Sequence, residues 1–264
     1  MTGPNILFWD IETSPVFVAT WSLFQDHNSH DNILEDWKII CAAWKWQHSK
    51  DIHTVAWKPC KNKDKNKSVI TGMDDSYVVR TLYKVLSVAD IIVAQNGDNF
   101  DWKKFQTRCI DLGLPPMIKP QMVDTLKVAR KEFRLTSNRL DYLGKYLGVG
   151  AKVETPKDLH MKVIRKEKGA MEAMLKYNRG DVSLLERVYK KLLPYIRNHP
   201  NYNAYVDDDN GKIKPPCCTK CGSDHIQSRG KRVILSGVRR VYGCATCGNQ
   251  MTGQLIKSMK LRPV

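Results

Sequence analysis

The sequence predicts an α/β domain with a mixed sheet flanked by helices, followed by a small cysteine-rich β module. Strand-like and helix-like segments alternate over the first 195 residues after an early meander of strands, which is typical of a mixed sheet. Four of the eight cysteines form two Cys-x-x-Cys pairs near the C-terminus. The polar, turn-rich stretch 198–216 separates the two parts. We therefore expect domains at 1–197 and 217–264 joined by a linker.

Hydrophobic periodicity assigns the elements in order. Apolar, β-prone runs predict strands at 5–10, 39–46, 52–57, 91–94 and near 121–123. Apolar residues at helical spacing predict helices at 75–89, 100–112, 125–133 and 139–147, and a long last helix at 170–195. In the cysteine-rich part, β-branched residues on both sides of Ser236-Gly237 predict a hairpin.

Charge and composition point to a polyanionic partner. The 264 residues have a net charge of +16 and a pI near 9.5, which favours nucleic acid. Residues 212–264 hold eleven Lys or Arg against one acidic residue, Asp224. No apolar run approaches the ~20 residues of a membrane span, and no signal peptide pattern opens the chain. We expect an intracellular protein of the cytoplasm or nucleoid.

The first predicted strand delivers two carboxylates, Asp10 and Glu12. Side chains on a strand alternate with a period of two, so both project from the same face. Two adjacent carboxylates repel each other unless a cation lies between them, and oxygen ligands favour Mg²⁺ or Mn²⁺. On its own, however, such a pair is more often a solvated strand end than a metal site.

Two later segments supply further candidates. At the start of the helix after strand 91–94, Asp98 and Asn99 are interpreted as helix caps, whereas Asp101 is equally consistent with a cap and a metal ligand. In the last helix, Tyr177 and Asp181 share one face because they are four residues apart. Alone, that pair would also fit an ordinary amphipathic helix.

A glycine lies inside the last helix, at position 180. It costs about 1 kcal/mol relative to alanine in a helix interior. Gly180 therefore suggests that another backbone or a substrate approaches the helix closely there.

Together, Asp10-x-Glu12, Asn96…Phe100-Asp101 and Tyr177-x-x-x-Asp181 resemble the three motifs of the DnaQ-like, or DEDD, 3′–5′ exonuclease superfamily. The resemblance covers about residues 5–195 and implies a ribonuclease H-like fold. The late-helix tyrosine, where other members carry histidine, indicates the tyrosine-type branch. One departure is Gln95, where many members have histidine. Asp124 is interpreted as a helix cap and not as a ligand.

The resemblance implies a metal-dependent 3′–5′ exonuclease that hydrolyses phosphodiester bonds, with Asp10, Glu12, Asp101, Tyr177 and Asp181 as catalytic residues. Its four carboxylates are expected to hold two Mg²⁺ or Mn²⁺ ions about 3.5–4 Å apart. Asp10 is expected to bridge both ions, Glu12 and Asp181 to hold one, and Asp101 to serve the second. A free tyrosine has a pKa of about 10, so Tyr177 is expected to orient the attacking water and not to deprotonate it.

The cysteine pairs predict a second metal site. Two Cys-x-x-Cys-Gly segments with 22 residues between them closely match a four-cysteine zinc pattern, and the module resembles a zinc ribbon. An iron site or a redox pair is the alternative. Cys217, next to the first pair, is a possible exchange ligand. The expected zinc ligands are Cys218, Cys221, Cys244 and Cys247.

Basic and aromatic residues are candidates for nucleic-acid contacts. A solvated basic face is the alternative for the charges, and simple packing is the alternative for the aromatic side chains Phe17, Trp21 and Tyr242. The predicted nucleic-acid-binding residues are Asn96, Arg229, Lys231, Arg232, Arg239 and Arg240.

The sequence therefore favours a 3′–5′ exonuclease acting on single-stranded DNA. A 3′–5′ exoribonuclease is the alternative within the enzymes, because no motif recognises a 2′-hydroxyl group. A non-catalytic zinc-ribbon adaptor that binds nucleic acid is the alternative outside them. A proofreading role would require a separate polymerase or replication partner.

Overall fold

The computed structural model describes residues 3–24, 27–60, 70–205 and 217–258. Its strands are β1 (Ile6–Thr13), β2 (Phe17–Val18), β3 (Ile33–Glu35), β4 (Ile39–Trp46), β5 (His53–Ala56), β6 (Lys58–Pro59), β7 (Met73–Asp74), β8 (Ile91–Ala94), β9 (Gln121–Asp124), β10 (Ile226–Ile234), β11 (Gly237–Cys244) and β12 (Gln250–Ser258). Its α-helices are α1 (Ser76–Leu86), α2 (Asp101–Asp111), α3 (Thr125–Glu132), α4 (Leu140–Tyr146), α5 (Leu159–Ile164) and α6 (Ala170–Leu192).

The main sheet has five strands in the order β5-β4-β1-β8-β9. Strand β1 lies at its centre, antiparallel to β4 and parallel to β8, while β9 continues the parallel half. The predicted mixed sheet is therefore confirmed. Strand β4 has the predicted bounds, and β1 extends beyond its predicted end so that Glu12 is part of the strand.

Side chains of β1 alternate between two apolar clusters on opposite faces of the sheet. Leu7, Trp9 and Ile11 pack in a cluster with α1 and α2, whereas Ile6 and Phe8 pack in a cluster with the second half of α6. Helices cover both faces, which explains why the central strands read as nearly continuous apolar runs. The same alternation directs the side chains that follow Phe8 at even positions toward the face covered by α6.

Three structured segments of the chain were not predicted. Helix α5 has only six residues, and strand β12 contains an internal glycine that weakens its alternating pattern. Strands β2 and β3 form a two-stranded ribbon between β1 and β4. None of the described helices is long and apolar enough to cross a membrane.

The cysteine module, defined here as residues 217–258, is a three-stranded antiparallel sheet in the order β10-β11-β12. The predicted hairpin is its first two strands. The module contacts the end of α6, because Lys220 Nζ donates to the Pro194 carbonyl at 2.8 Å, and Cys221 and Cys247 pack against the apolar cluster under α6. Of the predicted linker 198–216, residues 206–216 lie outside the described residues.

Candidate active site

Three carboxylates meet where the end of β1 faces the middle of α6. Asp10 and Glu12 follow Phe8 at even positions on β1, and Asp181 lies on α6. Oxygen atoms of the three side chains lie within 4.8 Å of one another. The strand period of two and the packing of α6 on this face are together sufficient to bring them into one cluster.

Asp101, the fourth predicted carboxylate, begins α2 on the neighbouring parallel segment. It is 1% exposed, and its Oδ1 accepts a hydrogen bond from the Ile11 backbone at 3.1 Å, so it lies directly beside the stretch of chain between Asp10 and Glu12. It does not belong to the group of three within 4.8 Å. Burial raises the pKa of Asp101 to about 7, against the opposing effect of the Ile11 hydrogen bond.

The cluster is electrostatically strained when it holds carboxylates alone. Burial raises the pKa of Asp10 well above its usual range, and the charges of Asp101, Glu12 and Asp181 raise it further. Burial also raises the pKa of Asp181, although Lys152 opposes the shift. Asp181 Oδ1 is buried and has no hydrogen-bond partner within the described part of the chain.

These features fit a bound divalent cation. A buried carboxylate oxygen without a donor costs free energy, and so does the repulsion between neighbouring carboxylates. A cation among the oxygens of Asp10, Glu12 and Asp181 would remove both costs. An all-oxygen donor set suits the hard ions Mg²⁺ and Mn²⁺.

Lys152 is a residue of the site that the sequence did not reveal. Its ammonium donates to the Tyr177 hydroxyl at 2.8 Å and to Asp181 Oδ2 at 2.6 Å. Burial would lower the pKa of Lys152, but the Asp181 charge outweighs burial and raises it. Lys152 lies in the segment between α4 and α5, outside every motif, so only the fold brings it to α6.

Tyr177 is held neutral in this arrangement. Burial and the Asp181 charge raise the pKa of Tyr177 to about 12, although the Lys152 ammonium opposes both. The hydroxyl and the ammonium also stabilise the charged form of Asp181 by hydrogen bonding. Tyr177 and Asp181 thus share one helix face, as the four-residue spacing implies, and Lys152 links them.

Gly180 faces the segment that carries Lys152. A Cβ atom at position 180 would lie 2.6 Å from Val153 Cγ2. The close approach that the sequence suggested is therefore made by the side chain next to Lys152. The Lys152 backbone N–H donates to Asp141 Oδ1 at 2.9 Å, which fixes the segment from its other side.

Two further side chains that the sequence did not reveal hold the carboxylates of β1. Asn178 Nδ2 donates to Asp10 Oδ2 at 2.6 Å, and Asn178 is fully buried. His160 Nε2, on the unpredicted helix α5, lies 2.9 Å from Glu12 Oε2. A weak signal existed for Asn178 only, since it lies three residues before Asp181 on the same helix.

The segment before α2 departs from the predicted capping. Asp98 pairs with Lys119 and Lys127, and α2 has no side-chain hydrogen bond at its N-cap, Phe100. The interpretation of Asp98 and Asn99 as helix caps is therefore wrong, because the two lysines compete successfully for the Asp98 carboxylate.

Asp124 caps α3, as interpreted from the sequence. Its carboxylate accepts from the backbones of Leu126 and Lys127 at 3.0 and 3.3 Å. The same Oδ1 atom accepts from the Asn96 backbone at 3.0 Å. Asn96 has a positive φ of 64°, so Asp124 fixes the left-handed turn that leads toward Asp101.

The four cysteines of the two pairs form one cluster. The Sγ atoms of Cys218 and Cys247 are 3.6 Å apart, and those of Cys221 and Cys244 are 3.7 Å apart. Four thiolates at the Zn–S distance of about 2.3 Å around a tetrahedral ion have S···S separations of about 3.8 Å, so the spacing fits such an ion. Cys217 is not in the cluster.

The two cysteine turns have the same construction. Each ends in a glycine of positive φ, Gly222 at 72° and Gly248 at 78°. Their backbone N–H groups donate to the carbonyls of Cys218 and Cys244 at 2.9 and 3.0 Å. A hydrogen bond from the Cys221 thiol lowers the pKa of Cys218 to about 4. The module therefore favours at least one thiolate even without an ion.

The predicted nucleic-acid contacts have different surroundings. On the hairpin, Arg229, Lys231, Arg232 and Arg240 are exposed, whereas Arg239 is partly buried and donates to the Gly253 carbonyl at 3.2 Å. Among the aromatic candidates, Trp21 is 97% exposed, while Phe17 and Tyr242 are partly buried.

Comparisons with known proteins give the family. Residues 52–193, more than half of the chain, match the RNase_H superfamily. The matched range contains Asp101, Tyr177 and Asp181, and begins after the strand that carries Asp10 and Glu12. No curated protein matches the chain.

One similar solved structure is that of the family B DNA polymerase from the hyperthermophilic archaeon Pyrobaculum calidifontis. It has 18% sequence identity and a TM-score of 0.52, over 72% of this chain and 25% of the polymerase chain. This chain thus corresponds to about a quarter of the polymerase, and the likeness concerns the fold. With the mixed sheet and its flanking helices, the family match establishes that the chain belongs to the RNase_H superfamily.

Proposed function

We propose that this protein is a metal-dependent 3′–5′ exonuclease that hydrolyses phosphodiester bonds, preferably in single-stranded DNA. The observation that carries the proposal is the cluster of Asp10, Glu12 and Asp181, whose oxygens lie within 4.8 Å of one another around a buried, unpartnered oxygen of Asp181. The RNase_H superfamily fold supports a nuclease.

In this proposal Asp10, Glu12, Asp101 and Asp181 hold two Mg²⁺ or Mn²⁺ ions. When bound, the ions supply positive charge that stabilises the attacking and leaving oxygens of the phosphodiester. Asn178 fixes the rotamer of Asp10 through its 2.6 Å hydrogen bond, and His160 does the same for Glu12. Such supporting hydrogen bonds orient ligands and raise their affinity.

Tyr177 and Lys152 position the reactants. A tyrosine with a pKa of about 12 keeps its proton at neutral pH, so Tyr177 orients the attacking water as a hydrogen-bonding group and does not act as a base. Lys152 holds that hydroxyl in place and adds a positive charge where negative charge develops on the phosphate.

The cysteine module completes the proposal. Cys218, Cys221, Cys244 and Cys247 hold one structural zinc ion, and the exposed basic hairpin binds nucleic acid together with Asn96 near the active site. The domain division stays at 1–197, 198–216 and 217–264. The similar solved structure is that of a DNA polymerase, which favours DNA over RNA and a replication context for the substrate.

The test is digestion of end-labelled single- and double-stranded DNA and RNA with Mg²⁺, Mn²⁺ or no divalent ion. We expect metal-dependent removal of 3′ nucleotides from linear single-stranded DNA, protection by a 3′ block, and survival of circular strands. Faster digestion of RNA would favour the exoribonuclease alternative. Rapid cutting of circles would identify an endonuclease, and no cutting of any substrate would leave the nucleic-acid-binding adaptor.

The variant Asp10→Asn separates catalysis from folding. It removes one charge of the cluster and should abolish hydrolysis. Glu172→Gln, which neutralises an exposed carboxylate on α6, is the matched control and should hydrolyse at the wild-type rate. Wild-type hydrolysis by Asp10→Asn would contradict the catalytic assignment.

A further inference from the structure

Strands β10 and β11 place like charges directly opposite each other. Lys231 lies opposite Arg240, and Arg232 lies opposite Arg239. Because neighbouring positions on a strand point to opposite faces, each face of the hairpin carries one such pair. No ion pair joins these four side chains to an acidic group among the described residues, and Asp224 is the single acidic residue after position 211.

This arrangement costs stability in the isolated protein. Directly opposed side chains on antiparallel strands have Cβ atoms about 4.5–5.5 Å apart, and like charges at that spacing are destabilising. Two successive pairs on opposite faces therefore leave the hairpin with unmet positive charge on both sides. Phosphate groups on both faces would relieve the repulsion.

The end of the hairpin is aliphatic and exposed. Val233 is 73% exposed, and Leu235 is completely exposed in the turn. Residues 226–241 contain no aromatic side chain. Surfaces that bind single strands without sequence preference combine positive charge with aromatic rings on which bases stack. The distal hairpin has the charge without the rings, so it is built for a different form of nucleic acid.

We propose that the hairpin of β10 and β11 enters the major groove of double-stranded DNA. Lys231 and Arg240 then face one phosphate backbone, Arg232 and Arg239 face the other, and Leu235 points toward the base edges. The major groove of B-form DNA is about 12 Å wide and admits a two-stranded ribbon. The major groove of an RNA duplex is deep and narrow, which excludes this fit.

The inference deepens the proposed function and rests on it only for the choice of nucleic acid as partner. The active site would take the single-stranded 3′ end while the hairpin holds the adjoining duplex. Strand β12 pairs with the other edge of β11, so it stays outside the groove and braces the hairpin.

The test measures binding by the full chain carrying Asp10→Asn, in Mg²⁺ buffer without chelator so that zinc is retained. Fluorescence anisotropy against salt concentration is recorded for a short DNA duplex, one of its single strands, and the matching RNA duplex. The variants are Lys231→Gln/Arg240→Gln, Arg232→Gln/Arg239→Gln and Leu235→Ser. Arg80→Gln/Lys84→Gln on α1, which removes two exposed charges outside the cysteine module, is the matched control.

Each hairpin pair variant should weaken duplex DNA binding at least about fivefold and flatten the salt slope by about 1.8, as expected for two lost phosphate contacts. Leu235→Ser should weaken duplex binding with an unchanged slope. Single-strand affinity should change less than twofold, and the control should match the parent protein. Because opposed charges are removed, both pair variants should melt at or above the parent temperature.

Equal losses for duplex and single strand would overturn the inference, as would unchanged duplex binding or a loss confined to RNA duplex. Leu235→Ser keeps the test decisive if a pair variant fails to fold, since the Leu235 side chain is completely exposed. The nuclease proposal is judged separately, by hydrolysis with the wild-type chain. Binding without hydrolysis would contradict the nuclease and retain the groove-binding hairpin.

Discussion

At the scale of single residues, one ammonium group organises the proposed reaction centre. Lys152 Nζ contacts both the Tyr177 hydroxyl and Asp181 Oδ2. It is the cation that the structure supplies to a cluster of buried carboxylates. Its removal therefore affects the position of Tyr177 and the charge balance around Asp181 at the same time.

Lys152→Met should reduce kcat on a short single-stranded oligonucleotide by about 10–100-fold, because a positioned positive charge is lost near the developing phosphate charge. Lys152→Arg should restore part of the rate. Single-turnover hydrolysis measures both. Lys157→Met removes an exposed lysine from the same segment and serves as the control. A Lys152→Met protein as fast as that control would limit Lys152 to a structural role.

Tyr177→Phe should reduce kcat by about 10-fold or more while KM changes little, because the ring stays packed and only the orienting hydroxyl is lost. The raised pKa of Tyr177, about 12, also predicts no loss of activity between pH 7 and 9 from its ionisation. Steady-state kinetics provides the measurement, with Tyr146→Phe, an exposed tyrosine, as control. A variant with wild-type kcat would show that another group orients the water.

Asp10→Asn should raise the melting temperature of the magnesium-free protein at pH 7.5, at about 2–4 °C for each kcal/mol of relieved repulsion. Burial raises the pKa of Asp10, so in wild type its ionisation lowers stability as pH rises through the acidic range. The advantage of the variant should shrink near pH 5, where the wild-type carboxyl is more protonated. Added Mg²⁺ should stabilise wild type more than the variant. Calorimetry that finds the reverse order would exclude a strained carboxylate cluster.

At the scale of elements, helix α6 and the segment between α4 and α5 are fitted to each other. Gly180 gives room to Val153, which follows Lys152 in the chain. A methyl group at position 180 would meet the Val153 side chain, so the fit depends on the residue at each of these two positions. The position of the catalytic lysine is therefore set by a glycine on another element.

Gly180→Ala should lower kcat several-fold through displacement of Val153 and Lys152, although alanine favours the helix by about 1 kcal/mol. The double variant Gly180→Ala/Val153→Ala should recover much of the rate, because the new methyl group then fills the vacated space. Both rates and melting temperatures should be compared in one double-mutant cycle. Additive effects of the two substitutions would refute the steric coupling.

The elements also differ in how well the sequence predicted them. Strands β4 and β8 have the predicted bounds because their apolar runs are buried on both faces. Helix α5 was missed because six residues carry too little periodicity, and His160 was missed with it. The metal-cluster carboxylates follow from short-range spacing, whereas Lys152 and Asn178 reach the site through contacts 25 to 168 residues apart in the chain.

At the scale of the whole molecule, the cysteine module is fastened to the main domain. The Tyr202 backbone donates to the Thr219 carbonyl at 2.6 Å, and Lys220 donates to the Pro194 carbonyl at 2.8 Å. Tyr189 of α6 contacts His199 at 2.7 Å in the same region. The sequence showed two composition classes but not this contact, which arises from residues on both sides of the predicted boundary.

Cys218→Ser or Cys244→Ser should abolish the binding of about one zinc ion per chain and lower the melting temperature of the whole protein. The physical reason is that Cys221 and Cys247 pack against the apolar cluster under α6, so a disordered module exposes that surface. Zinc content by mass spectrometry and calorimetry are the two readouts. Cys217→Ser, outside the cluster, should keep its zinc; loss of zinc there would require a different ligand set.

The length of α6 has a consequence for the footprint on DNA. Asp181 lies eleven residues before Leu192, at the end of the 23-residue helix, which at 1.5 Å per residue is about 16 Å. At 3.4 Å per base pair that interval equals about five steps of duplex. The helix thus works as a ruler between the place where a strand is cut and the place where the molecule is gripped. Substrates with less than about five base pairs beyond the cutting point should behave as if the hairpin were absent.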